Sequence, residues 1–172
     1  MDPVVLLLCV LHIGSGIFWV GSAFAFFVFV QPSARSLGPD GEGAFMANLV
    51  RVRRFPMAIF WATVVTVVAG LLLYLRDAGG LQLWLGSASG VGFTIGAASA
   101  IVSFILGPAV IIPSVDKLDG IGATLAEAKR PPTAEEMATI EGLQGRLRSA
   151  GIADLVFLAI AVLFMATSRY LG

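Results

Sequence analysis

His12 is the only histidine in the chain, and it stands in an apolar run, 4–30, that holds no Asp, Glu, Lys or Arg. An ionisable side chain inside such a run marks a candidate functional site, because hydrocarbon does not solvate it. Residues three or four apart share a helix face, so Cys9, His12, Gly16, Trp19 and Ala23 form one stripe. Three kinds of chemistry suit that stripe. In the first, the imidazole is an axial ligand of haem b, and Gly16, one turn on, leaves room for a flat macrocycle. A monomer offers one such histidine, so the second ligand is water or a methionine, Met165, whose distance from the outer end of the last apolar run is close to that of His12, unless a homodimer supplies a second His12. Met57 lies near the opposite face. Arg76 is the basic side chain nearest this depth and the expected partner of a propionate. In the second, Cys9, His12 and a methionine, Met165, bind Cu(I), which soft donors favour. In the third, His12 only hydrogen-bonds across to Thr66, Ser99 or Ser103.

The elements that position these residues follow from composition. Of the 172 residues, 58% are hydrophobic and 13% charged, with a mean hydropathy of +0.92. Soluble domains carry about 25% charged residues. Four apolar runs, about 4–30, 55–76, 90–112 and 151–171, are each long enough to cross a bilayer core about 30 Å thick at about 1.5 Å per residue. Backbone groups in lipid need partners within their own segment, so all four are helices. The expected fold is all-α: one domain, 1–172, forming an integral membrane four-helix bundle with helical cytoplasmic extensions. The opening run is read as retained, since it lacks a basic leader and exceeds a signal peptide's apolar stretch. His12 lies about nine residues, or roughly 13 Å, from its outer end.

Charge orients the spans. Arg35, Arg51, Arg53, Arg54, Lys117, Lys129, Arg130, Arg146 and Arg148 follow spans 1 and 3; only Arg76 and Arg169 lie on the other side. Both termini are therefore expected outside and both long connections in the cytoplasm. The formal net charge is zero, which gives no footprint for nucleic acid. The single cysteine excludes an internal disulfide.

In the first connection, 37–41 is a turn cluster, Asp40 is placed to cap a helix starting near Glu42, and that helix is expected to run into span 2 with a bend at Pro56. The outer connection contains Leu81, Gln82, Leu83, Trp84 and Leu85, with Trp84, Tyr74 and Tyr170 at one interfacial level. In the second long connection, Thr133 and Glu136 form a capping box. One helix is expected from Thr133 to Tyr170, hairpinned against a continuation of span 3, with the tip at Pro131 and Pro132. Gly92, Gly96 and Ala100 recur every four residues on span 3, a spacing that lets helices approach closely. Packing within the chain is preferred to a dimer seam. Pro108 should kink span 3. Asp154, about one turn into span 4, is expected to pair with Arg51, Arg53 or Arg54 as a structural salt bridge, in preference to a role as proton carrier. No second membrane carboxylate is present to relay to, which argues against an ion pump.

The pattern His12, Gly16, Trp19-Val20-Gly21 with a Phe-rich end of span 1, followed by Arg53-Arg54-Phe55 and Ala69-Gly70-Leu71 in span 2, resembles the copper-resistance D-like (CopD-like) bacterial membrane proteins. It is also similar to the HemJ-type protoporphyrinogen oxidases, four-helix proteins with a first-span histidine that bind haem b. The resemblance covers spans 1 and 2. It implies a bacterial inner-membrane protein, haem b at His12 and a membrane oxidoreductase activity. The oxidases' pattern includes a lysine in a membrane-adjacent segment, whereas the lysines here are Lys117 and Lys129, in the second long connection. The expectation is a haem-b membrane protein, redox or porphyrin-related. A copper-handling protein, or a non-catalytic accessory subunit of a larger membrane complex, stands as the alternative.

Overall fold

The computed structural model describes residues 2–77 and 84–171. Leu81, Gln82 and Leu83 of the outer connection lie outside the described residues. The chain is all-α, and four of its helical stretches are long and apolar enough to cross a membrane: Pro3–Arg35, Phe55–Asp77, Ala88–Ala128 and Ala134–Tyr170. It is a multi-pass membrane protein.

Helix α1 spans Pro3–Ala25. Asp2 caps it, accepting the Val4 N–H at 2.9 Å, and Pro3 stands at the first helical position, where a missing N–H costs nothing. The helix continues through a wide π-turn, π1, Phe26–Val30, into α2, Gln31–Arg35. Helix α3, Gly38–Ala47, leads through π2, Asn48–Val52, to α4, Phe55–Asp77. Helix α5 spans Ala88–Leu106, π3 Gly107–Ile111 and α6 Ile112–Ala128. Helix α7 spans Ala134–Thr167 and ends in a 3-10 turn, Ser168–Tyr170. Prolines account for two of the π-turns. Pro32 follows π1 and Pro108 lies inside π3, and a proline ring crowds the carbonyl four residues back while offering no N–H to it.

Two expectations for the first connection are corrected. Helix α3 begins at Gly38, so Asp40 falls in its first turn and not before it. Nor does the chain run helically into span 2. Arg54 adopts a left-handed conformation, φ 52°, and its carbonyl accepts the Met57 and Ala58 N–H groups that open α4. Pro56 fits the break: its ring crowds the carbonyl four residues back, that of Val52, where π2 ends, and it suits a first helical turn.

The far connection folds as expected. Lys129 takes the left-handed C-cap position of α6, φ 48°, and Pro131-Pro132 form the tip. Thr133 accepts the Glu136 N–H at 3.2 Å while the Glu136 carboxylate accepts the Thr133 N–H at 2.8 Å. Helices α6 and α7 thus project as a hairpin. All three π-turns lie at this hairpin end of the bundle, opposite the termini.

Helices α1 and α4 form one closely packed pair, and α5 and α7 the other. They share a small core of Trp19, Ala23 and Leu158, joined by Ile59, Ala62, Val67, Phe104 and Leu155, so every span contributes. Many large apolar side chains point outward, such as Ile17, Phe29 and Leu163, while Thr63, Thr66, Ala69, Ser99 and Ser103 are buried. Helices in lipid gain nothing by hiding leucine from hydrocarbon, so small and polar residues occupy their interfaces. The glycine ladder of α5 belongs to the α5–α7 seam. A Cβ on Gly96 would lie 3.2 Å from Met165 Cγ, and one on Gly92 would clash with Ser168 Oγ. Trp84 packs between Tyr74 and Phe93, at centroid distances of 6.0 and 5.9 Å, and its Nε1 is buried.

Candidate functional site

His12 faces α4. A carbonyl only accepts, so the 2.8 Å contact between His12 Nδ1 and the Thr66 carbonyl is an Nδ1–H donated to it. In the neutral ring the lone pair is then on Nε2. The ring reaches the carbonyl because Gly70 has no side chain. A Cβ at position 70 would lie 2.6 Å from His12 Cε1 and 2.7 Å from Nδ1. One turn along, the Ser15 and Thr66 hydroxyl oxygens are 2.7 Å apart. Each also reaches the carbonyl four residues back, Ser15 to Leu11 and Thr66 to Ala62. A continuous polar strip therefore runs along the α1–α4 seam, inside an otherwise apolar pair.

The residues singled out by sequence divide between the two helix pairs. Cys9 is a partly buried free thiol on α1. Gly16 faces Thr66, whose Cγ2 would be 3.5 Å from an added Cβ, so the opening beside Gly16 is taken up by the Thr66 methyl. Trp19 is in the core. Met165 packs against Gly96 on the α5–α7 pair. Arg76 pairs with Asp2 at 2.9 Å, tying the end of α4 to the cap of α1. Among the described residues, no three His, Cys, Asp or Glu side chains converge as a metal cluster would require.

Tested against haem b, the donor chemistry fits one axial bond. A histidine whose Nδ1–H is held by a backbone carbonyl is oriented and polarised to ligate through Nε2. Two members of the strip had little signal in the sequence. Ser15 is an unremarkable small residue in an apolar run and Gly70 appeared only within the Ala69-Gly70-Leu71 pattern; their facing positions on adjacent helices give them a role against His12 and Thr66.

Asp154 does not pair with an arginine. Arg51 makes two bonds from Nε to the Asp119 carboxylate, at 2.7 and 2.8 Å, and a third from Nη2 to the Asp119 carbonyl. Asp154 is buried and accepts a hydrogen bond from Ser103 on α5. The register of α6 over π2 decides this, since it brings a carboxylate to Arg51 outside the bundle.

No family model matches the chain, and no curated protein or solved structure matches it either.

Proposed function

We propose that this chain is a haem-b-binding protein of the bacterial inner membrane, redox or porphyrin-related, with His12 as axial ligand through Nε2. The observation that carries the reading is the Nδ1–H bond to the Thr66 carbonyl, which in the neutral ring directs the Nε2 lone pair away from that bond and supports Nε2 as the ligating atom. The first-span and second-span pattern shared with CopD-like and HemJ-type proteins supports the same ligand. When bound, haem b supplies a one-electron couple. The chain's own residues do the rest. Thr66 aims the imidazole, Gly70 admits it, and the bundle excludes water. Arg76, half exposed beside Asp2, is the cation available to a propionate. The distribution of basic residues supports a cytoplasmic hairpin with both termini outside.

The absorption spectrum of protein purified from haem-replete cells tests the reading. A Soret band that His12→Ala removes from a still-folded protein is the expected result. A colourless wild-type protein would overturn it. Bound copper without a Soret band would favour the Cys9–His12 alternative. One observation favours a second reading, an accessory subunit of a membrane complex: only Trp19 and Ala23 of α1 are buried, so most of that helix is open to lipid or to another chain. A colourless, metal-free protein that co-purifies with other membrane chains would support it.

A further inference from the structure

Asp154 occupies a position the His12 site does not use. Its side chain comes from α7 one turn inside the span, and the residue is 5% exposed. Ser103, 2% exposed, donates its hydroxyl to Oδ1. Among the described residues, no donor reaches Oδ2 and no cation pairs with the carboxyl. The elements packed around it offer none. Helix α5, π3 and π1 contain no Asp, Glu, Lys, Arg or His, and α4 carries its charged residues, Arg76 and Asp77, at the opposite end. On α7 the nearest are Arg148 and Arg146, both exposed, and α6 contributes Asp116, Lys117, Asp119 and Glu127 further out. Arg53 and Arg54 are exposed, and Arg51 is engaged by Asp119.

The backbone beside Ser103 is also unusual. Pro108 has no N–H to give the carbonyl four residues before it, that of Phe104. Phe104 packs on the same core as Leu155 and Leu158, the α7 neighbours of Asp154. On the other side, the Phe27 ring of π1 closes over Gly151, one turn before Asp154. The carboxyl thus lies where π1 and π3 meet α7, and π-turns in membrane helices often mark functional sites.

We propose that Asp154, with Ser103, is an intramembrane proton-binding site. An ionised carboxylate held by one hydroxyl keeps little of its hydration in replacement. A positive charge must therefore join it. The oxygens at hand are the two of Asp154 and the Ser103 hydroxyl. They are few for a hard metal cation, which takes about six or more in the Mg²⁺ and Ca²⁺ class. A proton needs one. An O–H bond forms at Oδ2 when the site is loaded and breaks when it empties, with no change of oxidation state. The Ser103 hydroxyl bonds the charged form, so it tunes where the proton leaves.

Dicyclohexylcarbodiimide tests the site on the full chain in micelles. It takes the proton of a neutral carboxyl onto its own nitrogen while the carboxyl oxygen bonds its central carbon, giving an adduct of summed mass. We expect one adduct on Asp154 by peptide mass spectrometry, absent in Asp154→Asn. Its rate should fall about tenfold per pH unit above a midpoint, equally in sodium chloride and choline chloride. Ser103→Ala keeps the carboxyl and should move that midpoint upward, an effect mere packing would not produce. Three results would overturn the proposal: no adduct on Asp154 in folded protein at any pH, protection by sodium at constant ionic strength, or an unmoved midpoint in Ser103→Ala. None depends on whether His12 binds haem.

Discussion

Gly70→Ala puts the geometry of the His12 seam to a quantitative test. The new methyl carbon would sit 2.6 Å from His12 Cε1 and 2.7 Å from Nδ1, inside any real contact distance. The ring cannot slide away and keep the 2.8 Å bond to the Thr66 carbonyl. An interhelical hydrogen bond in a membrane contributes about 0.6 kcal/mol on average and about 1.7 at most. Overpacking a tight site adds about 1–3 kcal/mol. Against this, alanine in place of glycine favours a helix by up to about 1 kcal/mol. The net cost should be about 1–2 kcal/mol. In a His12→Ala background both the clash and the bond are gone, so the same substitution should be neutral or mildly stabilising. Unfolding free energies of the four proteins in mixed micelles would then give a coupling of about 1–3 kcal/mol, in the range expected for residues in contact. An equal cost for Gly70→Ala with and without His12 would show that the imidazole does not lie on Gly70, and the Nε2 assignment would fall with it.

Gly151→Ala would put a Cβ 2.1 Å from Phe27 Cζ and should cost about 1–3 kcal/mol, whereas Gly14→Ala, with open space around it, should be close to neutral; detergent unfolding of the two variants checks the contrast. Thr133→Ala removes the cap of α7 and should destabilise its start by about 1 kcal/mol, seen as faster amide exchange at 134–138 with the spans unchanged. The Arg130 guanidinium and the Thr133 N–H hold the Glu136 carboxyl down from 4.5 to about 2. A depressed folded value means the contribution is full above the unfolded value and is lost as pH falls from about 4.5 through about 2. Proteolysis at the 129–133 tip should therefore rise across that window, and Glu136→Gln should remove the pH dependence.

Much of the architecture is local, and that part is legible in the chain. The bilayer's thickness turns apolar runs such as 55–76 and 151–171 into helices of known length, because no other structure satisfies their backbones. Thr133 and Glu136 start α7, and Lys129 to Pro132 end α6, through contacts only a few residues apart. His12 stood out for a similar reason: it is the only histidine of the chain, in an apolar run without Asp, Glu, Lys or Arg. Its partner was not legible. Thr66, Ser99 and Ser103 have equal chemistry, and only the docking of α1 on α4 selects the first, through its backbone carbonyl and with Gly70 making the room. The same holds for Asp154. Depth in the membrane suggested an arginine, but rotation of α7 towards α5 turned the carboxyl to Ser103, and α6 brought Asp119 to Arg51. Spacing along a chain gives a residue its face and depth. Which face it meets depends on how separate helices rotate against one another, and the burial of small and polar side chains between helix pairs decided that here.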